Sequence, residues 1–195
     1  VMVASMVQQY ASLGHDIVNH CINDIAVQGA TPLFFMDYLG IGHLRSPLYE
    51  QLLSGIANAC AKQNVAVLGG ETAEMPGVYN EHFDLVGSVM GMVDRQAIIT
   101  GRDIAPGDSI IGLPSNGLHT NGYSLARKIL FEDHLLDPHR EIPEIGQQLG
   151  QALLAPHTCY WPAVQKLLLS DIPLHGMAHI TGGGWFDNIA RVLPE

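Results

Sequence analysis

Asp84-Leu85-Val86-Gly87-Ser88-Val89-Met90-Gly91-Met92-Val93 is an apolar, strand-forming run in which nothing charged follows the leading aspartate. Because its apolar positions do not alternate with charges, it reads as a long strand covered on both faces, with Met90 and Met92 as core filler. A strand of that kind needs a sheet flanked by helices. Upstream, residues 3–13, 16–29 and 47–63 carry helical periodicity, whereas 33–38 and 65–68 read as strands. The fold class expected is α/β (α+β layered).

The texture changes near Thr100, where Gly101-Arg102-Asp103 and Pro106-Gly107-Asp108 make turns. A domain boundary is placed there, giving residues 1–100 and 101–195. The second part reads as a strand over 109–113, a loop over 115–121 and a helix over 122–131. A polar connection, a helix near 160–169, a short strand into Gly182-Gly183-Gly184 and a helix over 185–193 follow.

With 47% hydrophobic residues among 195, the chain can bury a core. Its formal charge of -10, with 9 Lys+Arg, offers no cationic surface to a nucleic acid or an anionic membrane, so neither is expected as a partner. A small anionic substrate remains open, since backbone N–H groups and a metal ion can hold phosphate. Cys21, Cys60 and Cys159 form no Cys-x-x-Cys pair, which points to a reducing, cytoplasmic setting without a zinc cluster or disulfide framework. No stretch reaches the roughly 20 apolar residues of a membrane span, and no targeting signal is visible.

Placed at about 100° per residue, Asp16, Asn19, His20, Asn23 and Asp24 fall on one helix face, opposite Ile17, Val18, Cys21, Ile22 and Ile25. A solvated face would be richer in Lys, Glu, Gln and Arg, which form helices better. Oxygen-rich side chains one turn apart suit Mg²⁺. The run Leu68-Gly69-Gly70-Glu71-Thr72-Ala73-Glu74-Met75-Pro76-Gly77 follows an apolar strand, so Glu71 is expected on a post-strand turn as a second metal ligand facing Asp24.

Ser115-Asn116-Gly117-Leu118-His119-Thr120-Asn121-Gly122 can cap the next helix and offer N–H groups to an anion. Thr181-Gly182-Gly183-Gly184 has the same capacity, but lacks the Lys of a Walker A loop and the spacing of a dinucleotide fingerprint. A nicotinamide oxidoreductase is suggested by the triple glycine alone, and the chain lacks both the expected glycine spacing and the acidic ribose ligand. His15, His43, His82, His134, His157 and His175 show no ligand spacing to each other, and neither a catalytic Ser-His-Asp nor a Cys-His arrangement can be recognised.

Taken in order, HCINDIAVQGATPLFFMDY, LGGETAEMPGVY, LPSNGLHTNGYSLARKIL and HITGGGWFDNIARVLP resemble the aminoimidazole ribonucleotide synthetase (phosphoribosylformylglycinamidine cyclo-ligase) family. The resemblance implies an N-terminal α/β domain that builds a barrel with its twin across a homodimer, and a C-terminal α/β domain beside it, both truncated here. It implies ATP and Mg²⁺ as cofactors and a phosphorylated ribonucleotide as substrate. Asp24, Glu71 and Asn23 would be the metal ligands; His119 and Asp24 would be catalytic. Asn116, Gly117, Thr120, Asn121, Thr181, Gly182, Gly183 and Gly184 would hold ATP or phosphate, and Asp37 and Glu74 also lie in family motifs. A segment reading Asp-Gly-Val-Gly-Thr-Lys is expected just before Val1, and further elements after Glu195. A related phosphate-activating enzyme and a non-catalytic nucleotide-binding or dimerisation fragment are the alternatives.

Overall fold

A computed structural model describes residues 1–194. Its first half runs α1 (Met2–Val7), α2 (Ala11–Ala26), β1 (Thr31–Ile41), α3 (Ser46–Lys62), β2 (Ala66–Glu74) and β3 (Phe83–Met92). β1 is the central strand, parallel to β2 and antiparallel to β3, and α2 and α3 cover one face of the sheet. The chain is a mixed α/β protein.

The strands are half covered rather than enclosed. Phe83, Leu85, Gly87 and Val89 pair with Ile41, Leu39, Asp37 and Phe35 on the helix side; a methyl on Gly87 would meet Ile17 and Phe35. The alternate residues face away from the helices. Met90 and Met92 are 43% and 68% exposed, beside exposed Phe34, Met36 and Val86, so the core-filler reading fails. A strand with one open apolar face shows the same unbroken apolar run as an enclosed one, because charge is missing from both.

The helix boundary expected between residues 13 and 16 falls earlier. Gln8 ends α1 in a left-handed conformation (φ 55°), and Gly14 lies inside α2. It is there for packing: a methyl on Gly14 would strike the Leu52 carbonyl and lie 2.5 Å from Ile56 N, and Gly55 closes on Gly14 Cα and the Ala11 carbonyl from the other side. The two glycines set how closely α2 and α3 cross.

β2 extends well past residue 68, through Glu74, because β1 offers ladder partners as far as Ile41. The Gly-Gly turn expected at 69–70 is instead a register shift opposite Phe35/Met36, with Gly69 at φ 148°. Glu71 therefore lies inside a strand.

The second half holds α4 (Tyr123–Arg127), which continues into a π-helical turn over Lys128–Asp133, then β4 (Glu141–Ile142), β5 (Gln147–Gln148), α5 (Leu149–Leu153), α6 (Trp161–Leu168) and α7 (Gly184–Ala190). The strands expected at 109–113 and before Gly182 do not form. Ile110 and Ile111 stay 89% and 82% exposed, with no neighbouring strand among the described residues to complete a ladder.

Two apolar clusters join the halves. Val3, Ala4 and Val7 meet Leu39, Leu52, Phe83 and Leu154; Val18 and Ile22 meet Phe35, Ile56, Cys60, Trp161 and Val164. Substituting Gly14→Ala gains roughly 1 kcal/mol of helix propensity, but overpacking against backbone costs about 1–3 kcal/mol or more. The contact is with main chain that cannot rotate away, so the cost should win. Urea denaturation is expected to show a net loss of about 1–2 kcal/mol; an unchanged midpoint would mean the helices can separate freely.

Candidate active site

The polar stripe of α2 holds a piece of backbone. His157 N–H donates to Asp16 Oδ1 (2.7 Å), Asn19 Nδ2 donates to the His157 carbonyl (2.7 Å) and Asn23 Nδ2 to the Thr158 carbonyl (2.8 Å). Tyr160 N–H donates back to Asn23 Oδ1 (2.9 Å). Residues 157–160 thus take partners from side chains of one helix, while Thr158 N–H donates to His119 Nε2 in the 115–122 loop (3.2 Å). Asp16 and Asn23 are buried in doing so.

One turn along the same face, His20 and Asp24 meet residues from the far end of the chain. His179 Nδ1 donates to Asp24 Oδ1 at 2.7 Å, and the ring centroids of His20 and His179 lie 5.2 Å apart. His157, 1% exposed, completes the group at 5.2 Å from His20 and 5.5 Å from His179. Its Nε2 has no hydrogen-bond partner, which costs about 1–3 kcal/mol in a buried site.

The 115–122 loop closes over this cluster. His119 stacks on His157 (centroids 4.2 Å, 28° between planes), and its Nε2 contacts Asn116 Oδ1 at 2.6 Å. Asn116 Nδ2 donates to the Pro156 carbonyl, which fixes the amide so that its oxygen faces the ring. His119 and Thr120 both adopt left-handed backbone (φ 50° and 62°), a conformation costing roughly 1–2 kcal/mol per non-glycine residue. Strain of this kind gathers where a site must present its side chains in one direction.

The glycine loop lies alongside: a methyl on Gly182 would sit 3.8 Å from Asn121 Oδ1. Buried Asn188 shapes the loop, donating to the carbonyls of Gly182 (3.2 Å) and Gly184 (2.7 Å). Gly183 and Gly184 have φ 90° and 63°, which side chains rarely adopt.

The N-terminal and C-terminal domain profiles of "AIR synthase related protein" match residues 1–93 and 105–195. The chain belongs to the AIR synthase related family. Curated relatives named phosphoribosylformylglycinamidine cyclo-ligase include one from Alkaliphilus oremlandii, 48% identical over 99% of this chain and 57% of its own length. Another, from Desulfotalea psychrophila, is 46% identical over 99% of this chain and 54% of its own. The chain therefore spans little more than half the length of these relatives. Among solved structures, a thiamine-monophosphate kinase from Stenotrophomonas maltophilia superposes with a TM-score of 0.64 at 19% identity, covering 95% of this chain and 54% of that one, a likeness of fold alone. No helix among the described residues is long and apolar enough to cross a membrane.

Within this AIR synthase related chain, the residues expected from sequence divide into two groups. Asp24, Asn116, His119, Thr120, Asn121 and the Thr181–Gly184 loop come together. Glu71 does not join them: it registers with Tyr38, on the face of β1 that points away from α2 and α3. Asn23 is no free ligand either, since both its amide atoms hold residues 158–160. The donor set consequently does not fit a magnesium ion shared by Asp24, Glu71 and Asn23. Asp37 lies on the helix side, its carboxylate filling the space a Gly70 side chain would need, and Glu74 Oε1 accepts from Leu44 N–H at 3.2 Å. Sequence reasoning missed Asn188 and dismissed His157. His20, His157 and His179 each offer a ring nitrogen within 4.8 Å of the others, a relation that no local spacing could reveal.

Burial governs the site's proton equilibria. It pushes His157 down from 6.5 to about 3, helped by the neighbouring His119, His20 and His179, and it lowers His20 and His119 as well. The hydrogen bond from His179, more than the nearby His20, holds Asp24 below the usual carboxylate range. Burial raises Asp16 from 3.8 to about 6 against the opposing His157 N–H bond. Folded Asp16 keeps a proton that the unfolded chain has released, so its contribution favours folding at low pH and is lost as pH rises through about 6. Folded His157 refuses a proton that the unfolded chain accepts, so stability is lost as pH falls below 6.5. The larger shift is that of His157, and the net effect is acid destabilisation. Asp16→Asn keeps an acceptor for His157 N–H but removes the opposing contribution, so its urea midpoint should fall more steeply than that of the parent between about pH 6 and 4. Parallel pH profiles would show that Asp16 is not a buried acid.

Proposed function

We propose that the chain supplies the catalytic loops of an ATP-dependent cyclo-ligase that converts formylglycinamidine ribonucleotide to aminoimidazole ribonucleotide in purine biosynthesis. The observation that carries this reading is the meeting of the 116–121 and 181–184 loops around His119 and His179, in a chain 43–48% identical to relatives of that name. The γ-phosphate of ATP is transferred to the formyl amide oxygen, making a poor leaving group a good one. The amidine nitrogen then attacks the activated carbon, losing a proton, and ADP and phosphate leave. Asn116, Gly117, Thr120, Asn121 and Thr181–Gly184 are assigned to the phosphates. His119, kept neutral by burial, is assigned to the proton from the attacking nitrogen. Asp24 is assigned to orienting His179; of the three ligands expected for magnesium, Asn23 is engaged with residues 158–160 and Glu71 lies on the other face of the sheet. The division near residue 100 is retained as a domain boundary.

The assay is ADP release by a protein carrying this segment at the relatives' full length. Formylglycinamidine ribonucleotide should drive release and thiamine monophosphate should not; His119→Ala should lower kcat by about 100-fold or more. Release driven by another acceptor would instead identify a related phosphate-activating enzyme, and binding of ATP without turnover would identify a nucleotide-binding fragment.

The proposed partners are the phosphorylated ribonucleotide and a second copy of the chain, in the cytoplasm, with no nucleic acid or membrane. Phe34, Met36, Val86, Met90 and Met92 form an open apolar sheet face, of the kind a subunit interface covers. Met90→Glu is expected to shift sedimentation from dimer to monomer without unfolding the chain; a dimer that persists in this variant would place the interface elsewhere.

A further inference from the structure

We propose that His20, His157 and His179 form a binding site for one zinc-class divalent ion, held through the three Nε2 atoms with a fourth position open to water or a phosphate oxygen. The proposal does not depend on the ring-closing reading.

The hydrogen bonds around the cluster fix the tautomers. Thr120 Oγ1 donates its one proton to the His119 carbonyl at 2.6 Å. Toward His20 Nδ1 (3.1 Å) and His157 Nδ1 (3.3 Å) it can therefore only accept, so both rings carry their proton on Nδ1. His179 Nδ1 donates to Asp24 Oδ1. Each ring is left with a lone pair on Nε2. In such a tautomer His20 Nε2 does not donate to Asp24 Oδ2, which at 3.6 Å is beyond hydrogen-bond reach.

The spacing suits one ion. Three imidazoles aimed tetrahedrally at a metal about 2.0–2.1 Å from each nitrogen have ring centroids about 5 Å apart. The observed separations are 5.2, 5.2 and 5.5 Å, and one nitrogen from each ring lies within 4.8 Å of the others. His157 supplies the independent sign: its Nε2 is buried without a partner, and the ring is 1% exposed. An aspartate behind one histidine and a hydroxyl behind the other two are the outer contacts that orient metal-bound imidazoles. Nitrogen donors select zinc-class ions over Mg²⁺, which takes oxygen.

Isothermal titration calorimetry with Zn²⁺ on the purified chain, and visible spectra with Co²⁺, test the site. One ion per chain is expected, with the ligand-field bands of tetrahedral Co²⁺ and no displacement by excess Mg²⁺. His20→Gln and His179→Gln alter partly exposed rings and should weaken binding at least about 100-fold; Thr120→Val should weaken it roughly 10- to 100-fold. His43→Gln, on an exposed ring elsewhere, should leave it unchanged. Absence of binding by the folded parent chain, binding that survives loss of His179, or equal loss in His43→Gln would each overturn the proposal.

Discussion

Everything at the candidate site depends on α2 serving as the hydrogen-bond partner of residues 157–160. That segment belongs to no strand, and its N–H and C=O groups would be costly to bury unpaired. Asp16, Asn19 and Asn23 answer them from three successive positions along one helix face. A Gln, Lys or Arg would reach too far, and an apolar side chain would strand the backbone groups. The preference for short polar side chains on this face therefore follows from the length of the gap they bridge. Trp161 and Val164, directly downstream, then seat α6 on Val18 and Ile22, so an apolar contact and a polar latch fix the same crossing.

Seating 157–160 in this way carries His157 into the interior and stacks His119 on it. Four imidazoles then crowd together, and burial keeps His157, His20 and His119 from charging. Neutral rings can meet where cations would repel one another. Asp24 is the ionised group at the edge of the cluster, held so by His179. The site thus offers lone pairs and N–H groups in place of fixed positive charge, in keeping with a chain of formal charge -10 that has few Lys and Arg to spend on anions.

The first-half helices and strands were legible because each carries its own periodicity, and the four motifs named the family because their order is improbable by chance. The strand at 109–113 was not, since a strand is stabilised by its neighbour and Ile110 and Ile111 have none among the described residues. The α2 stripe was recognised as unusual, yet the reason for it lies more than 130 residues away. His157 shows the same limit: its neighbours His20 and His179 lie on distant segments, so sequence spacing carried no sign of them. Glu71 was misplaced for a smaller reason, the single register shift at Gly69 that lets β2 continue where a turn had been read.

That register also separates two jobs on one three-stranded sheet. Along β3, Gly87 and Gly91 lie toward α2, where a methyl would strike Ile17 or Ile25, while Val86, Met90 and Met92 lie on the other face. Glycine on one side brings α2 close enough to build the latch; large apolar side chains on the other leave an open apolar surface. Because side chains alternate with period 2, a slip of one residue would exchange the two sets, thrusting methionines against α2 and opening glycines to the outside. The apolar run that led to the expectation of an enclosed strand is thus better described as two different faces, one packed closely on a helix and one open and apolar.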